Sequence, residues 1–367
     1  MISITVFSLI TGILMMAFVS LFISLTPFIM PPNILFGVRI PEDQVKNPIL
    51  KKIRLGFISV EMVILVLLLT FFMFVPFHLS AIMVGLLPLL DLGLSMLVFL
   101  AFHYRVLKMK GKMPSALPEH NVAAAALGED EMGVKHFVLI FPWIAISIFF
   151  AVGIMQYPHI PTVFPVHFGI NGQPNGFAHK SILSVFSVLI FVSLPLTAFL
   201  EFISVIILKS SPFQNPRSPV KNALQMSGFN RINFYMIAAI AVIVDLTLFL
   251  SSADSWGLLP HNYLYLTIVP VIILLPAIII ISLKVGQTGW KLYPNATETI
   301  NSGGPANDDH LWKLGVIYFN RQDSSLIVPK RFGYGYTLNF GHPITWSVLF
   351  VVVLVTFIAI LLATGVI

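Results

Sequence analysis

Eight segments of this sequence are long and apolar enough to cross a lipid bilayer as single helices. A membrane-spanning helix needs about 20 consecutive, mostly apolar residues. The segments are Ile2–Pro27, Leu55–Phe77, Ser80–Tyr104, His136–Gln156, Ser181–Leu208, Asn233–Ser251, Asn262–Leu283 and Pro343–Ile367. Backbone groups in lipid must pair within the chain, which a helix achieves. The eight segments therefore predict an all-α polytopic membrane protein with about eight transmembrane helices.

Composition supports a membrane protein and excludes sulfur chemistry. The 367 residues are 57% hydrophobic and only 10% charged, whereas soluble domains are about 25% charged. Cysteine is absent, which rules out disulfides and thiolate metal sites. The first segment lacks the basic start and the small-residue cleavage site of a signal peptide, so we expect it to be retained as the first span.

The placement of Lys and Arg predicts the orientation. Twenty of the 21 basic residues lie in four alternate loops, and the exception is Lys180. Cytoplasmic loops of membrane proteins carry the excess of basic residues. We therefore expect an N-out/C-out chain in which loop 157–180 is external and loops 28–54, 105–135, 209–232 and 284–342 are cytoplasmic.

Five regions follow from this topology. Residues 1–135 form three spans, 136–208 form two spans around the external loop, 209–284 form two more, and 343–367 form the last. Residues 285–342 contain a polar linker that ends in ANDD, followed by a β-prone module. Within the module, the runs VIYFN and SLIVP around RQDS predict a small cytoplasmic β-hairpin.

The external loop is the first candidate binding site. Residues 157–180 contain four prolines, three glycines and three histidines. Proline at this density excludes a helix, and glycine supplies turns. We expect an ordered structure that binds a ligand at the bilayer surface.

Four carboxylates inside spans are the second candidate. They are Glu61, Asp91, Glu201 and Asp245, and no Lys or Arg lies well inside any span. A charged acid at a helix centre costs ~2.5–3.5 kcal/mol or more, so such residues usually have a role. Two alternatives remain open, namely a proton or cation relay and a protonated acid hydrogen-bonded across a helix interface.

Other chemistry is not indicated. The external histidines His159, His167 and His179 follow no compact metal spacing, and the chain contains no GxSxG, P-loop or GxGxxG motif. We therefore predict no metal, no cofactor, no catalytic residue and no enzyme activity. Nucleic acid is not an expected partner, because the cytoplasmic basic residues face an anionic leaflet.

The external loop resembles a bacterial domain of unknown function with the pattern LPxxIPxHFNxxGxPDxWxxK. That domain is shared with the SdpI-type immunity proteins, which protect cells against a secreted peptide toxin. Gly169, Asn175 and Phe177 stand where the pattern usually has Asn, Asp and Trp. The resemblance implies a ligand-binding set comprising Pro161, Pro165, His167, Phe168, Gly172, Pro174 and Lys180.

The cytoplasmic module resembles a second small domain, which accompanies the first in Gram-positive membrane proteins. The segment ILFGVRIPED near the start of the chain is similar to the same family. The residues of the module that carry the resemblance include Trp312, Lys313, Tyr318, Asn320, Lys330 and Arg331. Both resemblances imply a bacterial plasma-membrane location.

Three functional hypotheses follow. The leading one is a receptor, immunity or signalling protein that binds an extracellular peptide or envelope ligand and contacts a cytoplasmic regulator. The second is a proton- or cation-coupled transporter that uses the four intramembrane carboxylates, and the third is an intramembrane enzyme. The lipid bilayer is a partner in each of them.

Overall fold

The computed structural model describes residues 4–76, 79–113, 135–168, 174–208, 210, 219–259, 266, 269–295 and 308–363. Within this part of the chain, seven helices are long and apolar enough to cross a membrane. They confirm a mostly helical membrane protein with several spans. The total of eight spans and the N-out/C-out orientation stay predictions.

The helices follow the apolar segments, but several bounds differ. Their bounds are α1 Ile4–Ile29, α2 Pro48–Met73, α3 Ser80–Lys110, α4 Ile140–Gln156, α5 Ile182–Val185, α6 Leu194–Leu208, α7 Pro219–Ser255, α8 Val269–Val285 and α9 Pro343–Ala363. The second helix begins at Pro48 rather than Leu55, and the expected fifth span Ser181–Leu208 contains two α-helices. Helix α3 extends past the expected end at Tyr104, and α7 begins well before the expected Asn233. Both extensions are polar, so hydropathy alone does not detect them.

Local sequence fixes two helix starts. The Asn47 side chain accepts a hydrogen bond from the backbone N–H of Ile49, and Pro48 occupies the first turn of α2. Ser181 and Ser184 form a reciprocal capping box at the start of α5. The side chains of Asn47 and Ser181 satisfy backbone N–H groups that have no partner within the helix, and proline has no N–H to satisfy. Both features therefore favour the start of a helix.

The spans form two helix groups. Helices α1, α2 and α3 pack against one another, as do α4, α6 and α7, and α8 contacts both α7 and α1. Met16, Phe72 and Leu87 lie in the core of the first group. In the second group, the rings of Phe149 and Phe249 stack with centroids 4.3 Å apart.

Among the described residues, four small antiparallel hairpins lie outside the spans. They pair β1 Ile34–Leu35 with β2 Val38–Arg39, β3 Val163–Phe168 with β4 Pro174–His179, β5 Trp312–Lys313 with β6 Ile317–Tyr318, and β7 Ile327–Pro329 with β8 Tyr336–Leu338. The first, third and fourth meet at one end of the helices. We call residues 308–342 the C-terminal module.

The predicted pairing within this module is wrong. The run at Ile317 does not pair with the run at Ile327, because each belongs to a different hairpin. The reason is a tight turn at Leu314 and Gly315, both of which have positive φ. Three residues separate the paired Lys313 and Ile317, and so tight a turn favours a hairpin between its immediate neighbours.

Candidate functional site

Three sites contain the residues singled out from the sequence, and the hairpin β3–β4 is the first. Its register pairs Val163 with His179 and Pro165 with Phe177, and it becomes irregular near His167. Phe164 is buried at its base, where Val185 and Trp256 belong to the same core cluster. The proline-rich loop is therefore an ordered hairpin seated on an aromatic base.

Lys180 closes the base of the hairpin. Its Nζ donates to the backbone carbonyls of Ile160 at 2.9 Å and Pro158 at 3.3 Å. It also lies 4.8 Å from the centroid of the Tyr157 ring. The one basic residue outside the four basic loops thus has a clear structural role here.

The other predicted residues of the loop are placed unevenly. Pro161 is exposed, while Pro165 in β3 and Pro174 in β4 are half-buried. His167 and Phe168 belong to β3, and Gly172 lies outside the described residues. Their role in ligand binding stays a prediction.

The hairpin also exposes apolar side chains that sequence reasoning did not select. Val163, Val166 and Phe177 are 46%, 48% and 60% exposed. Phe177 is one of the positions at which the chain departs from the family pattern. Alternation along the strand distinguishes Val163 from the buried Phe164, whereas Val166 lies at the register shift between Pro165 and His167.

The intramembrane carboxylates of the first helix group form the second site. Glu61 on α2 accepts a hydrogen bond from Ser95 Oγ on α3 at 2.7 Å. Asp91 on α3 accepts one from Ser20 Oγ on α1 at 2.8 Å. Both acids are fully buried in the chain, so each is bonded across a helix interface.

The second helix group repeats this arrangement. Glu201 on α6 accepts a hydrogen bond from Trp143 Nε1 on α4 at 2.8 Å. Asp245 on α7 accepts hydrogen bonds from Ser193 and Thr197. The four acids are therefore divided between the two helix groups, with Glu61 and Asp91 in the first and Glu201 and Asp245 in the second. The hydroxyl donors were missed because the helix packing order is not visible in the sequence.

A buried ion cluster ties the C-terminal module to the rest of the chain. Asp308 accepts from Arg39 Nε at 2.9 Å and also pairs with Arg331. Asp309 pairs with Arg331 at 2.5 Å and with Lys110 Nζ at 2.5 Å. The cluster joins β2, the end of α3 and the module.

Burial in this cluster changes the basicity of its arginines. Burial lowers the pKa of Arg39 to about 10, and it lowers the pKa of Arg331 as well. Buried charges of this kind are tolerated when they are paired and hydrogen-bonded. Arg331 was predicted from the family resemblance, whereas Arg39, Lys110 and the two aspartates were not.

Within the module, Asn339 organises the loop that follows β6. Its side chain accepts from the Asn320 backbone N–H at 3.0 Å and donates to the Asp323 carbonyl at 3.0 Å. Tyr318 OH donates to Asp323 Oδ2 at 3.0 Å and accepts from Asn320 Nδ2. Burial raises the pKa of Tyr318 to about 12.

A cavity of about 340 Å³ opens beside this cluster and is the third site. Of the predicted module residues, Trp312, Tyr318, Lys330 and Arg331 line it. Asn320 lies behind Tyr318, and Lys313 instead donates to the His310 carbonyl at 3.0 Å. The remaining walls include the segment that follows α1, the first turns of α7 and the loop at 287–290.

The apolar helices define the chain as a multi-pass integral membrane protein. A family model described as a domain of unknown function (DUF1648) matches residues 137–192, which contain α4, the hairpin β3–β4 and α5. A second, described as a family of unknown function (DUF5808), matches residues 321–346 in the module and the start of α9. The comparisons with curated proteins and with solved structures found no match.

Both matches agree with the expectation of a membrane family without assigned function. They fall on the two regions that carried the resemblances. Neither description refers to SdpI-type immunity proteins, so that resemblance stays a prediction.

Proposed function

We propose that this chain is a receptor of the immunity or signalling type in a bacterial plasma membrane. In this proposal, the hairpin β3–β4 binds an extracellular peptide or envelope ligand. The C-terminal module then contacts a cytoplasmic regulator, and the chain catalyses no reaction.

The observation that carries this proposal is that α7 reaches both sites. At one end, Phe249 on α7 packs with Trp256 in the cluster under the hairpin. At the other end, Phe229 lies 5.3 Å from the Tyr334 ring and 5.4 Å from the Tyr336 ring of the module. With 37 residues, the helix is about 55 Å long.

The hairpin has the features of a binding surface. Its exposed apolar side chains stand on a buried aromatic base, so little order is lost when a ligand binds. Its strands belong to a two-stranded sheet, and a free strand edge suits the addition of an extended peptide. A shift of the hairpin base would reach the module through α7, which is a packed and continuous element.

A survival assay tests the proposal. Cells that express the chain are challenged with secreted peptide toxins, and binding of a protective peptide is then measured with the chain in nanodiscs. We expect Phe177→Asp to weaken binding by about 2 kcal/mol, roughly 30-fold, because it puts a charge on the exposed apolar surface.

Lys313→Gln is the matched control, because Lys313 is exposed in the module. It should leave peptide binding unchanged. Protection that persists in Phe177→Asp and disappears in Asp91→Asn would contradict the receptor proposal and assign the function to the carboxylates.

A second candidate is proton- or cation-coupled transport, and one observation favours it. Within the described part of the chain, one oxygen each of Glu61, Asp91 and Glu201 is buried without a hydrogen-bond partner. A buried carboxylate oxygen of this kind is suited to bind a proton or a cation. Proteoliposomes under a pH gradient test this, since Asp91→Asn should abolish flux whereas Phe177→Asp should not.

A further inference from the structure

The cavity is built from the C-terminal module and three distant parts of the chain. Met30 and Pro31 follow directly on α1, Lys221 and Gln225 come from the first turns of α7, and Trp290 comes from the loop after α8. Its volume of about 340 Å³ falls within the ~300–1,000 Å³ that is typical of small-molecule sites.

Positive charge predominates at this cavity. The described residues that line it or belong to the adjoining ion cluster comprise five cations, Arg39, Lys110, Lys221, Lys330 and Arg331, and three carboxylates, Asp308, Asp309 and Asp323. These residues therefore carry an excess of two positive charges. A phosphate monoester carries about −1.5 to −2 at neutral pH, which matches this excess.

The walls of the cavity are held in place before any ligand arrives. Gln225 Nε2 donates to the carbonyls of Trp290 and Leu292, each at 3.0 Å. Trp290 Nε1 donates to the carbonyl of Ile29 at 2.8 Å. Gln287 Nε2 donates to the Lys330 carbonyl at 3.0 Å, which ties the loop to the module. Such preorganisation reduces the entropic cost of binding.

Aromatic groups complete the lining. The side chains of Trp290, Trp312 and Tyr318 face the same cavity as the basic residues. The Arg331 guanidinium lies 5.3 Å from the centroid of the Trp312 ring. A site with aromatic walls and cationic groups suits a ligand that has both a phosphate and a carbon skeleton.

We propose that this cavity binds a phosphate monoester, either as the headgroup of a lipid or on a soluble small molecule. Lys221 and Lys330 contact the phosphate, while Arg39 and Arg331 supply a fixed positive field. The site is independent of the hairpin β3–β4, so either proposal can fail without the other.

Binding of defined phosphate probes tests the inference. The full chain is purified in a neutral detergent for titration with glycerol 3-phosphate, and it is placed in nanodiscs that contain phosphatidic acid for native mass spectrometry. Glycerol and phosphatidylcholine are the uncharged and zwitterionic controls. Saturable binding of the first probe indicates a soluble ligand, and selective retention of the second indicates a lipid headgroup.

Two lysine variants connect the binding to this cavity. Lys221→Gln and Lys330→Gln should each weaken phosphate binding by about tenfold, which is typical for loss of one charged contact. Lys313→Gln on the same module should not change it, and all three should retain the parent melting temperature. Absence of saturable binding for both phosphate probes, or equal weakening in Lys313→Gln, would overturn the proposal.

Discussion

Replacing Asp308 with asparagine should destabilise the C-terminal module severely. Asp308 is 2% exposed and lies between Arg39 and Arg331, each of which is 5% exposed. Asparagine keeps the shape but removes the charge, so both buried guanidinium groups lose the carboxylate that pairs with them. Removal of one partner from a buried ion pair typically costs ~3–5 kcal/mol, and we expect a loss in this range.

The measurement is the unfolding of the module in detergent, followed by tryptophan fluorescence and by limited proteolysis near residue 308. Asp43→Asn is the matched control, because Asp43 is exposed and, among the residues that the structure describes, accepts a side-chain hydrogen bond only from Gln44. An exposed charge of this kind should change stability by less than ~0.5 kcal/mol. If Asp308→Asn costs less than ~1 kcal/mol, the cluster is solvated and its charges are screened, and the reasoning is refuted.

Three further predictions concern topology, pH and packing. The chain contains no cysteine, so an introduced cysteine is its single reactive thiol. Phe177→Cys should react with a membrane-impermeant maleimide in intact cells, and Leu314→Cys should react only after permeabilisation. Labelling of both in intact cells contradicts the predicted orientation. Tyr318 has a pKa raised from 10.0 to about 12 by burial, so its contribution to stability is present below pH 10 and is lost as the pH rises towards 12. Tyr318→Phe should therefore remove up to ~2–3 kcal/mol of pH-dependent stability in alkaline melting curves, and an unchanged pH profile speaks against burial of the phenol. Gly37→Ala should cost ~2 kcal/mol or more, because φ is +76° and a Cβ would lie 2.2 Å from the Gly315 carbonyl oxygen. Gly335→Ala shares the positive φ but has open space around it, so an equal loss of melting temperature in both variants rules out the backbone contact as the cause.

The membrane-spanning part of the fold is predictable because bilayer thickness sets a length that hydropathy detects directly. Hydropathy does not detect the first half of α7, since polar residues such as Asn222, Gln225 and Asn230 contact other protein segments. Hydropathy also does not identify hydrogen-bond partners that lie on different helices. Asp91 is conspicuous in the sequence, but its donor Ser20 becomes visible only when α1 and α3 are packed together.

The C-terminal module is less predictable for a different reason. Asp308 and Asp309 end a polar stretch that reads as a linker, and nothing local distinguishes them from solvated acids. Their partner Arg39 lies about 270 residues earlier. The family resemblance identified Arg331, Trp312 and Tyr318 as important. Only the folded chain shows that Arg331 lies beside Arg39 and that the three residues line one cavity.

The distance in sequence between Arg39 and Asp308 has a consequence for how the protein is made. Their ion pair cannot form until nearly the whole chain has left the ribosome. Every span between Arg39 and Asp308 is therefore synthesised before the hairpin β1–β2 gains this ion pair. During that interval its arginine is held by no aspartate of the module. Assembly of the cluster is therefore a late event in biogenesis.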